Sequence, residues 1–101
     1  MNPDINTTQT ILLTENTNGY LYEIQLSPFC NLVEAEYRCS DSTLEITFQD
    51  TEGEIMGKLG SSLQSQKTHF DTPSDHHIIM TVSPHQDDCI ITIDEYINKV
   101  E

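Results

Sequence analysis

Basic residues are what this chain lacks most. Arg38, Lys58, Lys67 and Lys99 are its only Lys or Arg, set against 17 Asp and Glu in 101 residues, for a formal net charge of −13. So few cations on such a background cannot neutralise a phosphate track, which excludes direct nucleic-acid binding, and the same field repels anionic membranes. Proteins that carry basic sites are drawn in, with an effect on encounter rate and solubility rather than on fold. Long apolar runs are absent too: no segment approaches the roughly 18–20 residues of a membrane-spanning helix. Met1-Asn2-Pro3-Asp4 opens with no basic stretch and apolar run of a secretory leader, so a soluble, cytoplasmic protein is expected. Cysteine is scarce and odd in number. Cys30, Cys39 and Cys89 show no Cys-x-x-Cys spacing, which argues against a disulfide framework or a cysteine-only zinc site and favours reduced thiols, although one pair among the three could still bridge. Gly53, Gly57 and Gly60 lack the spacing and following helix of a phosphate-binding loop, and Gly19 stands alone.

Apolar content is 36%, below the roughly 45–50% of average domains, so the core should be thin. Leu, Ile, Val and Phe still number 25, enough to place the chain above the composition of strongly charged disordered proteins. The length fits a single compact domain over residues 9–101, with a polar, frayed terminus over residues 1–8.

The dominant hydrophobic pattern has period two. Tyr20, Tyr22, Ile24 and Leu26 alternate with Leu21, Glu23 and Gln25; Val33, Ala35 and Tyr37 alternate with Glu34, Glu36 and Arg38; Leu44, Ile46 and Phe48 alternate with Glu45, Thr47 and Gln49. Each run reads as a half-buried strand. Asn18-Gly19 and Asp50-Thr51-Glu52-Gly53 sit at hairpin spacing between such runs, which predicts short antiparallel connections. Further strands are expected at Ile11–Leu13, Ile55–Leu59, His77–Val82 and Cys89–Ile93, with a long surface loop from Gly60 to Asp75 that could hold a short helical turn at Ser62–Gln66. Near the carboxyl end, Ile93, Tyr96, Ile97 and Val100 fall at helical spacing, and Thr92 with Glu95 fits a capping box. The expected fold is mainly β, α+β at the margin: an antiparallel meander or small sandwich of six or seven short strands with a short carboxyl-terminal helix.

Glu34 and Glu36, two apart on a strand, share a face, and Glu45 on a neighbouring strand would extend the row. Asp50, Glu52 and Glu54 add charge at a turn. These six, with Tyr22 or Tyr37 as an aromatic anchor, form the expected surface for a basic partner protein. His69 to Cys89 is rich in metal-ligating side chains, with His85 and Cys89 the best-placed pair, yet no recognised ligand spacing is present; no metal and no cofactor are expected. Nor does any nucleophile–base arrangement stand out. The pattern therefore points to a non-catalytic inhibitor that blocks a basic nucleic-acid-handling enzyme. Two settings fit it: a bacterial immunity protein against a nuclease toxin, and a phage-encoded anti-defence protein, such as an anti-CRISPR or DNA mimic, acting on a host nuclease complex. The competing class is a structural or metal-stabilised module or adaptor with no inhibitory role.

Overall fold

A computed structural model describes residues 5–13, 19–38, 44–60, 67–84 and 88–97. They form eight strands: β1 (Ile5–Leu13), β2 (Tyr20–Gln25), β3 (Cys30–Arg38), β4 (Glu45–Gln49), β5 (Ile55–Gly60), β6 (Lys67–Asp71), β7 (His77–Val82) and β8 (Cys89–Ile97). Two four-stranded sheets result, ordered β1-β8-β3-β6 and β2-β7-β4-β5, with every neighbouring pair antiparallel. Each sheet interleaves early and late strands, which is the order of an eight-stranded jelly roll, a double sheet that manages its edges by folding two Greek keys together.

The predicted alternation survives as the inside and outside of this sandwich. Val33, Ala35 and Tyr37 of β3 and Ile91 and Ile93 of β8 face inward from one sheet; Ile24, Ile46, Phe48, Ile78, Met80 and Val82 meet them from the other. Burying a side chain of this size contributes about 1.5–3 kcal/mol against leaving it exposed, which is what holds the layers together. At one side of the sandwich β5 lies against β6, and Gly57 makes that approach feasible. A Cβ there would stand 2.9 Å from Thr68 Oγ1 and 3.2 Å from the Phe70 ring. The Phe70 ring instead packs 5.6 Å, centroid to centroid, from Phe48, the residue that pairs with Gly57 across β4 and β5.

Several expectations change. The carboxyl-terminal helix is replaced by β8, on which Cys89, Ile91, Ile93 and Glu95 point inward while Ile90, Thr92 and Asp94 point outward. Its β-branched residues and its pairing on both sides with β1 and β3 outweigh the coincidental helical spacing of Ile93, Tyr96 and Ile97; Val100 lies outside the described residues. The expected loop from Gly60 to Asp75 contains β6, and its candidate helical turn at 62–66 lies outside the described residues. Residues 5–8, expected to fray, belong to β1, where Ile5, Thr7 and Thr8 pair with Tyr96, Glu95 and Asp94 of β8. β1 and β2, expected to form a hairpin at Asn18-Gly19, enter different sheets; Asn18 itself lies outside the described residues. The Asp50–Gly53 turn does join paired strands. Among the described residues no helix is long and apolar enough to cross a membrane.

Candidate functional site

The jelly roll gathers the connections β2–β3, β4–β5 and β6–β7 at one end of the sandwich, and that end is acidic. Asp50 builds the β4–β5 turn. Its Oδ1 accepts the amides of Glu52 at 2.9 Å and Glu54 at 2.8 Å, while the Gly53 amide donates to the Asp50 carbonyl at 3.1 Å. Gly53 sits at φ 90° with nothing near its missing side chain, a left-handed conformation natural to glycine. Glu52 and Glu54 are thereby fixed in an exposed position.

A second carboxylate locks this turn to the next. The Thr51 hydroxyl donates to Asp75 Oδ2 at 2.7 Å, and the His77 amide donates to Asp75 Oδ1 at 3.2 Å. The Asp75 pKa is lowered chiefly by the Thr51 hydrogen bond; desolvation, the next largest effect, opposes the shift, and the His77 amide, the Asp75 amide and the His77 ring add smaller lowering contributions. A shallow cleft of about 130 Å³ runs between the turns, lined by Asp50, Thr51, Glu52, Pro73, Ser74 and Asp75. His76, at φ 57°, turns its carbonyl toward the β2–β3 connection, where it accepts from the Leu26 amide at 2.8 Å and Gln25 Nε2 at 3.1 Å.

That third loop presents an aromatic residue. Phe29 is 74% exposed, in a turn closed by the Cys30 amide on the Ser27 carbonyl at 3.0 Å and the Phe29 amide on Ser27 Oγ at 3.2 Å. Behind it stands Glu95, 3% exposed. Its Oε1 accepts the Ser27 amide at 2.8 Å and its Oε2 accepts Gln9 Nε2 at 3.3 Å. The three loops are one hydrogen-bonded unit that carries exposed carboxylates and an exposed aromatic side chain at the same end of the sandwich.

The other expected residues separate. Glu34 and Glu36 do share the outward face of β3, but there Glu34 accepts the Tyr96 hydroxyl at 3.1 Å and lies 3.9 Å from Lys67 Nζ. Tyr96 has its pKa raised, chiefly by burial and then by that hydrogen bond and by the Glu34 and Asp94 charges. Glu45 does not extend their row. It belongs to the opposite sheet, at the far end of β4, about 17 Å along the strand from Asp50. Tyr37, 4% exposed, is a core residue and not a surface anchor, since it points inward between Val33, Ala35 and the facing sheet. Tyr22 is half-buried and packs against the same core. Cys30 and Cys89 are buried reduced thiols; Cys39 and His85 lie outside the described residues, so the His85–Cys89 pair does too. Among the described residues no three His, Cys, Asp or Glu side chains come together as a metal site would require.

Phe29, Thr51 and Asp75 were not marked by the sequence pattern. For Phe29 a signal existed: an aromatic directly after Ser-Pro, in a turn between two alternating runs, has no strand face to be buried on. Thr51 and Asp75 meet only through the topology.

No protein-family model and no curated protein matches the chain. A solved structure is similar in fold: the SPBc2 prophage-derived protein YomS, at 16% identity and a TM-score of 0.60, aligned over 95% of this chain and 96% of that one.

Proposed function

We propose that this protein is a small, acidic, non-catalytic cytoplasmic inhibitor whose β2–β3, β4–β5 and β6–β7 end docks on the basic surface of a nucleic-acid-handling enzyme and blocks it. The observation that carries this reading is the exposed Phe29 ring on a loop unit that also displays Glu52, Glu54 and Asp75. The net charge of −13 would speed the encounter, and the desolvated aromatic contact would set the lifetime of the complex. A bacterial immunity protein against a nuclease toxin is the first setting. Prophage-derived YomS shares the fold, and a phage-encoded inhibitor of a host nuclease complex is the second reading on that ground.

The test is pull-down of the tagged protein from its native lysate at low and high salt, followed by nuclease assays on what is retained. One basic nuclease, retained at high salt and inhibited at a one-to-one ratio, is the expected result. Glu52→Lys with Glu54→Lys should slow association, and Phe29→Ala should speed dissociation. A mixture of basic proteins lost at high salt, or inhibition indifferent to all three substitutions, would overturn the proposal.

A further inference from the structure

β1 differs from the other three edge strands. β2 carries Glu23, β5 carries Lys58, and β6 carries Lys67 and Asp71, whereas the nine residues of β1, Ile-Asn-Thr-Thr-Gln-Thr-Ile-Leu-Leu, carry no charge in a chain with 17 acidic residues. Charged side chains on edge strands are the usual guard against edge-to-edge pairing, and β5 and β6 also shield each other. Among the described strands, β1 has neither a charge of its own nor a comparable neighbour outside its sheet. Its register with β8 runs unbroken from Thr7 to Leu13, so the strand is straight there, and among the described strands it pairs with β8 alone. Along its outer side a row of backbone N–H and C=O groups faces away from β8. Beside that row, on the outward face, Leu12 is 55% exposed and Ile90, its partner on β8, is 43% exposed.

We propose that β1 is a homodimer edge: two copies of this chain pair antiparallel along β1 about a two-fold axis, merging their β1-β8-β3-β6 sheets into one sheet of eight strands. Charge selects the occupant. An uncharged edge offers nothing to the basic proteins that the rest of the surface attracts, and a charged foreign strand laid there would lose hydration without gaining a partner. A second β1 brings no charge, and antiparallel pairing of identical segments is self-complementary under two-fold symmetry. Exposed Thr10 supplies a cross-strand threonine contact of the kind common in such ladders, the Thr8 hydroxyl being already donated to Asp94 Oδ1 at 2.8 Å, and a strand beside β1 covers Leu12.

Two copies at −13 each repel at long range, so this association should strengthen with salt, opposite to docking at the acidic loops. Sedimentation equilibrium of the purified full chain separates the two. Between about 20 mM and about 500 mM NaCl the screening length falls from roughly 20 Å to roughly 4 Å, and the mass should rise from 11.5 kDa toward twice that value. Thr10→Asp with Leu12→Asp, both at exposed positions, should weaken the dimer by at least about tenfold at every salt concentration. If that double variant loses its far-UV spectrum, Thr10→Lys alone is the second probe. Wild-type amides of β1 should also gain hydrogen-exchange protection as concentration rises. A monomer at all salts and concentrations overturns the proposal, as does a dimer that the β1 variants leave intact. The nuclease-binding test above is unaffected by either result.

Discussion

Removing the buried carboxylate of Glu95 should be costly out of proportion to its size. Glu95 is 3% exposed and bonds the Ser27 amide at 2.8 Å and Gln9 Nε2 at 3.3 Å, so it ties β8 to β1 and to the turn that presents Phe29. A hydrogen bond to a charged group is worth about 1.5–3 kcal/mol, and the longer one to Gln9 adds roughly 0.5 kcal/mol. Glu95→Ala removes both and leaves the Ser27 amide without its acceptor, for an expected loss of about 2–3.5 kcal/mol and a fall in Tm of roughly 10–20 °C for a domain of this size. Glu95→Gln keeps a carbonyl for Ser27 and requires only that the Gln9 amide reverse, so about 1 kcal/mol should be lost. Urea unfolding followed by far-UV circular dichroism measures both, with unchanged m-values as the sign that only stability moved. A loss under about 0.5 kcal/mol for Glu95→Ala, or equal losses for the two variants, would refute the hydrogen-bond reasoning.

Gly57→Ala should destabilise the protein by about 1–3 kcal/mol, because a Cβ 2.9 Å from Thr68 Oγ1 must push β6 away from β5; urea unfolding at the wild-type m-value checks it. Tyr96 should ionise later than a free tyrosine in an ultraviolet pH titration, and Glu34→Gln should bring it part of the way back, since the raised pKa comes from burial first and Glu34 second. A raised folded-state pKa means that stability from this residue is whole below pH about 10 and is lost as pH climbs through the raised value; Tyr96→Phe should flatten that alkaline loss. Asp75 should titrate below an ordinary aspartate by carboxyl carbon NMR, and Thr51→Ala should raise it by removing the largest cause of the shift. Its lowered pKa gives stability that is present above the usual aspartate value and lost as pH falls through the depressed one, a loss the Thr51→Ala variant should reduce.

The strands whose inward positions are all apolar were readable from period alone, as β3 and β4 show with Val33, Ala35, Tyr37 and Ile46, Phe48. β6 was not, because in Lys67-Thr68-His69-Phe70-Asp71 only Phe70 is buried. In β8 the alternation was hidden by an acid at an inward position, Glu95, which reads from sequence as a helix cap. Turn chemistry located the connections but not their destinations: Asn-Gly tolerates a hairpin and equally a crossing between sheets. For the same reason Glu45 looked adjacent to Glu34, although no local feature says which sheet β4 joins. Of the acidic end, Asp50, Glu52 and Glu54 were visible as a charged turn. Their link to Asp75, and through His76 to the loop that carries Phe29, depends on contacts between loops more than 20 positions apart, the Thr51–Asp75 bond spanning 24.

The strand order also constrains how the molecule is made. Among the described strands, β1 has as its sheet neighbour β8, made seven strands later, and β2 likewise waits for β7. Of these strands, only β4 and β5 are both consecutive in sequence and paired, so only they can join without waiting for a later strand. Neither sheet is complete until β7 and β8 have emerged, so folding waits on long-range pairings and is slow for a domain of this size. Throughout that interval the uncharged, β-prone segment Ile5–Leu13 is without its neighbour. The acidic residues in the rest of the chain oppose the approach of other copies while β1 waits for β8.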